Sequence, residues 1–239
     1  MHRTLTVFRR ELLGFFAHPL AYFVLTAFVA VNAALSLWFD DLLAGGVASM
    51  RRPFYWISLS FLFFVPAITM RLLAEERRSG TLHMLSTLPL RPAEIVVGKW
   101  LAAVVVVAVA LALTLGYPIA LRALGPLDLG PVVGGYLGLL LLGAALAAAG
   151  IATSASTENQ VVAFLGALAL SIGPWLVGQA LPLVPAKWVP VVQLFTFEYH
   201  FSNLARGVID SRSLVFFGGV IAIGLRSAVW VLEDRRLRA

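Results

Sequence analysis

The stretch Arg71–Trp100, RLLAEERRSGTLHMLSTLPLRPAEIVVGKW, is a charged interval between two long apolar runs. Pro53–Met70 precedes it with 18 uncharged residues, and Leu101–Leu121 follows it with 21. The interval holds Arg71, Glu75, Glu76, Arg77, Arg78, His83, Arg91, Glu94 and Lys99. A helix needs about 20 apolar residues to cross roughly 30 Å of hydrocarbon. Both flanking runs meet that length, so the interval reads as a loop between two membrane spans.

Composition supports this over the whole chain. Of 239 residues 60% are hydrophobic and 13% charged, and the mean hydropathy is +0.92. Soluble domains average about 45–50% apolar and about 25% charged residues. The expected fold is therefore an all-α integral membrane protein, a single domain over 1–239 with no separate soluble block. Six transmembrane helices are expected, at about 20–39, 53–72, 99–121, 131–154, 159–183 and 213–232. The polar hinge ATSASTENQ, Ala152–Gln160, divides the fourth from the fifth. No cleavable leader is expected, because the first apolar run lacks a small-residue cleavage site.

Basic residues set the expected orientation. With both termini cytoplasmic, Arg3, Arg9, Arg10, Arg71, Arg77, Arg78, Arg91, Lys99, Arg235, Arg236 and Arg238 lie inside. Arg51, Arg52, Arg122, Lys187, Arg206 and Arg212 lie outside, and Arg226 falls within the last span. The net charge of +6 is explained by this bias, without recourse to nucleic acid. Trp38, Trp56, Trp100, Trp188 and Trp230 fall near span ends, where amphipathic rings anchor.

Two segments are neither span nor simple loop. TLTVFRRELLGFF at the N-terminus places Leu5, Phe8, Leu12, Phe15 and Phe16 on one face of a helix, with Arg9, Arg10 and Glu11 elsewhere. That pattern predicts an interfacial helix whose arginines meet lipid headgroups. Packing against the chain's own spans is the competing reading. Before the last span, Pro190–Ser213 mixes aromatics with Glu198, His200, Arg206 and Asp210. It predicts re-entrant or surface helices, since backbone at membrane depth must be covered by protein or line a cavity.

Chemistry of its own is hard to find in the chain. The four histidines are isolated, no HExxH or GxSxG occurs, and no span carries paired carboxylates. There are no cysteines, hence no disulfides or thiolate metal sites. Gly98-Lys99 lacks the rest of a GxxxxGK[ST] phosphate loop, so work must come from another subunit. The interval itself shows where. Pro53–Met70 continues into RLLAEERR with no breaker before Gly80, which predicts a stiff lever extending from the second span. Gly80 permits a sharp turn. Thr81–Leu88 is expected to form a short helix with Leu82, Leu85 and Met84 toward its apolar side, ended by Pro89 and Pro92. A cross-helix flanked by charges suits docking into a partner's groove.

Phe61–Trp100 resembles the permease subunits of ABC-2 type exporters, in particular the gliding-motility-associated branch. The residues that carry the resemblance are Pro66, Glu75, Glu76, Arg77, Gly80, Thr81, Leu82, Leu85, Pro89, Glu94, Gly98 and Lys99. His83 departs from the family's usual Glu. Phe195–Phe217 is similar to the same branch's segment before the last span. The resemblance implies a membrane-spanning permease that couples ATP hydrolysis by separate subunits to substrate export. Its implied partners are two cytoplasmic ABC ATPase subunits, a second permease copy or sibling, membrane lipids and an extracytoplasmic auxiliary protein. Nucleic acid is not among them. ATP and Mg would bind the partner ATPase, with no cofactor or metal on this chain and no catalytic residue. The implied setting is a bacterial inner membrane. Glu75, Glu76, Arg77, Arg78, Gly80, Thr81, Leu82, His83, Leu85 and Pro89 would form the coupling element. Phe8, Arg9, Arg10 and Leu12 would belong to the interfacial helix. Phe197, Tyr199, His200, Phe201, Arg206 and Asp210 would close the exit. The alternative is a force-transmitting subunit that acts on an outer partner without moving substrate. A stripe in the fourth span, Gly143, Ala147 and Ile151 with Gly150 and Ser154 beside it, predicts close helix packing, within one chain or between two.

Overall fold

The computed structural model describes residues 2–38, 49–80, 91–208 and 210–238. Every regular element among them is helical. In chain order these are α1 (His2–Ala17), α2 (Pro19–Trp38), α3 (Arg51–Thr69), α4 (Arg71–Arg78), α5 (Pro92–Leu113) and α6 (Gly116–Leu124). Then follow α7 (Leu129–Ser156), α8 (Gln160–Gln179), a 3-10 turn (Leu181–Leu183), α9 (Val189–Gln193), α10 (Phe197–Ala205) and α11 (Ser211–Arg238). Six stretches are long and apolar enough to cross a membrane: Pro19–Trp38, Arg51–Arg78, Pro92–Ala123, Leu129–Ser156, Gln160–Gln179 and Ser211–Asp234. The end of the bundle that carries α1 and α4 is here the near end, and the end capped by α10 is the far end.

Helix α7 is the central post, with α3, α5, α8, α10 and α11 arranged around it. Its small residues let these neighbours approach at backbone distance. A Cβ added at Gly143 would meet Val107 of α5 at 2.6 Å and Phe61 of α3 at 3.2 Å, and one at Gly150 would collide with the Thr69 hydroxyl. On another face, Gly224 of α11 sits so close to Ala148 that an added Cβ would reach its backbone at 2.8 Å. The small-residue stripe is thus used within one chain. Around it Phe28, Phe61 and Phe64 form a ring cluster between α2 and α3, and Phe54 meets Tyr136 edge-on at 5.3 Å.

The structure departs from three expectations. The lever runs on from α3 with helical backbone through Met70, as expected, but its hydrogen-bond ladder is interrupted there and divides α3 from α4. Pro66, one turn earlier, has no N–H to give to Leu62 O, and just past Met70 a side chain from α7 enters the ladder. Glu11 does not lie apart from the apolar face of α1. It follows Phe8 by three residues and precedes Phe15 by four, and that face packs on α5 rather than away from the protein. Leu12, Phe15 and Phe16 join the core, while Leu5, Arg9, Arg10 and Leu13 are exposed. Finally, Trp100 turns inward, where an interfacial anchor was expected. It is half-buried, and its indole N–H donates to Ala144 O at 2.9 Å, fastening α5 to α7.

Candidate functional site

The lever leaves the bundle through a break that another helix repairs. In an uninterrupted helix the amides of Leu73 and Ala74 would serve the carbonyls of Thr69 and Met70. Instead both donate to Ser154 Oγ of α7, at 3.1 and 3.0 Å. The same hydroxyl donates to Met70 O at 2.9 Å. Thr69 Oγ1 turns back to Val65 O at 2.9 Å. One buried serine therefore supplies a donor and an acceptor where α3 gives way to α4. An inserted side chain of this kind is a recognised cause of a helix discontinuity.

Beyond the break, α4 is held by charge. Lys99 of α5 is almost wholly buried, and its ammonium lies 2.8 Å from Glu11 Oε1 of α1 and 2.9 Å from Glu76 Oε1 of α4. Three segments thus meet on one cation. Gly98 makes the meeting possible, because an added Cβ there would press on Val7 at 2.9 Å and on Thr4 O at 3.0 Å. Glu94 accepts the Arg91 N–H at 2.9 Å and so closes the first turn of α5, with Pro92 beside it. Glu94, Gly98 and Lys99 therefore have separate roles: one caps the helix, one admits α1, and one pairs with its carboxylate and that of the lever.

The neighbouring arginine fixes the other flank. Arg77 Nη1 donates to Ala155 O at 2.7 Å, and Nη2 reaches Glu158 Oε1 at 3.1 Å. The polar hinge between α7 and α8 is thus the seat of Arg77. Asn159 caps α8 by accepting the Val161 N–H at 2.9 Å. Glu75 and Arg78 face outward from α4, with Arg71 and Glu75 loosely paired at 3.9 Å. Gly80 ends the lever with φ of +71°, in the left-handed region that suits glycine, and its amide bonds to Arg77 O at 3.2 Å. Thr81, Leu82, His83, Leu85 and Pro89 lie outside the described residues.

At the far end, the residues read as a gate divide into two groups. His200 is buried. Its Nε2 donates to Leu194 O at 3.0 Å, its Nδ1 meets Ser213 Oγ at 3.1 Å, and its ring stacks on Phe216 at 4.1 Å. A carbonyl only accepts, so the proton on Nε2 is assigned by that bond. Phe197 and Phe201 are also buried, against Phe217 and Phe54 respectively. Together these three pin α10 to the start of α11 and to the core. Tyr199 is half-buried, Arg206 is exposed, and Asp210 accepts the Arg212 N–H at 3.0 Å to begin α11. Arg226 is exposed on α11.

The sequence singles out Glu75–Arg78 and Lys99 but not the residues that meet them and the start of α4, namely Glu11, Ser154 and Glu158. One signal was available, because Glu11 is an acid at helical spacing from Phe8 and Phe15 on the face that packs. Nothing in the sequence paired Ser154 with Met70. Among the described residues no group of histidines and carboxylates could hold a metal ion.

Residues 52–232 match the family model described as ABC-2 family transporter protein, from the first turn of α3 to the near end of α11. No curated protein matches the chain. With six helices able to cross a membrane and the family match over most of its length, the chain belongs to the ABC-2 transporter family, as its multi-pass permease component rather than its ATPase.

Proposed function

We propose that this chain is the membrane half of an ATP-driven exporter of a bacterial inner membrane, with both termini cytoplasmic. Two permeases, identical or sibling, would stand on two ABC ATPase subunits. Each ATPase would engage the segment from Glu75 to Pro89 and push on α4. The observation that carries this reading is the buried junction of Lys99 with Glu76 and Glu11. A push on α4 reaches α5 and α1 directly through that junction, while the break at Met70 lets α4 change angle relative to α3. Work delivered at the near end would thereby reach the third span and the N-terminal helix together.

The test is purification of the tagged chain from its native membrane in mild detergent, with partners identified and counted by mass spectrometry. A soluble subunit containing GxxxxGK[ST], at one copy per permease, is the expected companion. Recovery of the chain without any such subunit across several detergents would contradict the reading.

A second reading is favoured by one surface. Leu183, Trp188, Leu194 and Phe195 are all exposed at the far end, beside the pinned α10. A force-transmitting subunit would use such a surface to grip an extracytoplasmic partner. Replacing Trp188 and Phe195 by serine would release that partner while leaving ATPase attachment intact. An exporter without an outer partner would retain turnover after the same change.

A further inference from the structure

A cavity of about 200 Å³ opens at the far end between α3, α7, α8 and α10. Its floor is apolar, formed by Leu62, Leu142, Phe197 and Phe201, all buried. Its rim is of another kind. Arg51 from the first turn of α3 and Glu198 from the first turn of α10 border the same opening, with Tyr55 and Trp175 beside them. The two charges do not pair with each other. Glu198 accepts instead from Gln179 Nε2 at 3.0 Å, a neutral donor, and among the described residues no cationic side chain pairs with it.

An apolar floor beneath one cation and one anion fits an amphiphile whose head carries both signs. We propose that this cavity binds a zwitterionic phospholipid with a primary ammonium, of the phosphatidylethanolamine type, from the leaflet at the far end. The phosphate meets the Arg51 guanidinium, which suits phosphate oxygens by its planar fork of donors. The ammonium donates to Glu198, with the faces of Tyr55 and Trp175 as further cation partners. The floor takes the glycerol and the first part of one chain, for an apolar cavity of about 150 Å³ already accepts benzene. The rest of the lipid stays in the bilayer. A quaternary ammonium satisfies the rings but cannot donate a hydrogen bond to Glu198, and an anionic headgroup has no cation to offer it. The position of the cavity argues for a lipid over a soluble zwitterion, because it opens at the ends of two helices that are able to cross a membrane. The proposal goes beyond the transport reading and does not depend on it, since the binding belongs to the chain alone.

The test is native mass spectrometry of the purified full-length chain, exchanged into equimolar phosphatidylethanolamine, phosphatidylcholine and phosphatidylglycerol with identical acyl chains. The wild type should retain phosphatidylethanolamine about fivefold over phosphatidylglycerol, the preference a charge-assisted hydrogen bond of roughly 1 kcal/mol confers. Glu198→Gln should erase that preference while keeping total lipid bound. Arg51→Gln should lower retention of all three, and Ser58→Trp, which fills the cavity, should do so most. The first two changes are isosteric or exposed, so each gives a readout even if the tryptophan variant fails to fold. Free phosphoethanolamine should compete poorly. Equal retention of all lipids by the wild type, or an unchanged preference in Glu198→Gln, would mean annular lipid only and would overturn the proposal.

Discussion

The buried ammonium of Lys99 sits 2.9 Å from the carboxylate of Glu76, joining the third span to α4 at the near end of the bundle. Glu11 lies on the other side of the same ammonium at 2.8 Å. Removing one partner of a buried ion pair costs about 3–5 kcal/mol, whereas replacing the whole set by apolar groups is often neutral. Lys99→Met should therefore destabilise the chain strongly, as read by thermal unfolding in detergent. The triple change Lys99→Met, Glu11→Leu, Glu76→Met should recover most of that loss. Under the proposed function it should not recover stimulation of the partner ATPase.

Glu75 and Glu76 are adjacent in sequence and opposite in consequence. Glu75 is exposed, and its contact with Arg71 at 3.9 Å is worth at most about 1 kcal/mol by the standard of surface pairs. Glu75→Lys should leave the unfolding temperature nearly unchanged and weaken attachment of the ATPase, measured by copurification. Glu76→Lys should instead lower the unfolding temperature by bringing a second cation to Lys99. Equal stability of the two variants would show that the buried junction does not form.

Ser154→Ala would leave the amides of Leu73 and Ala74 and the carbonyl of Met70 to find other partners. A buried polar group left unsatisfied costs about 1–3 kcal/mol. Hydrogen exchange should accelerate at Leu73 and Ala74 in this variant and remain slow along the rest of α3. Uniform acceleration along the whole helix would mean that Ser154 serves general stability and not the break.

Gly150→Ala should force Thr69 aside, at a cost in the range of about 1–3 kcal/mol seen for overpacked cores. Combining it with Thr69→Ala should recover part of that loss, because the colliding hydroxyl is removed. The energies of the two changes would then fail to add, as expected for residues in contact. Additive losses in thermal unfolding would contradict the packing of α3 on α7.

His200→Ala should loosen α10 from α11 by removing two hydrogen bonds and the stack on Phe216. The chain has no native cysteine, so a spin label at an introduced cysteine reports a single site. A label replacing exposed Arg206 should become more mobile in His200→Ala, while one replacing exposed Ile223 should not.

Much of this arrangement was legible from residue order alone. The apolar runs fixed six helices, because a bilayer's thickness dictates their length and charges mark their ends. Gly80 announced the end of the lever, since its positive φ is readily open only to glycine. The site was legible only in part. Lys99 and Glu76 are 23 positions apart and Lys99 and Glu11 are 88 apart, so no local pattern connects them. The break at Met70 was hidden for a similar reason, as it depends on a serine of α7 that reads by itself as an ordinary small residue. The face that Glu11 takes follows its spacing from Phe8 and Phe15 and not its charge.

Under the proposed function, α1 and α4 move together when the ATPase acts. This joint motion is tested most directly by spin-label distances in the reconstituted complex, using cysteines placed at exposed Leu13 on α1, Ser79 after α4 and Arg226 on α11. Comparison of the complex with and without a non-hydrolysable ATP analogue should show the Leu13-to-Ser79 distance unchanged and the Ser79-to-Arg226 distance shifted. A Leu13-to-Ser79 distance that changes while Ser79-to-Arg226 stays fixed would mean that the Lys99 junction does not carry the push from α4 to α1.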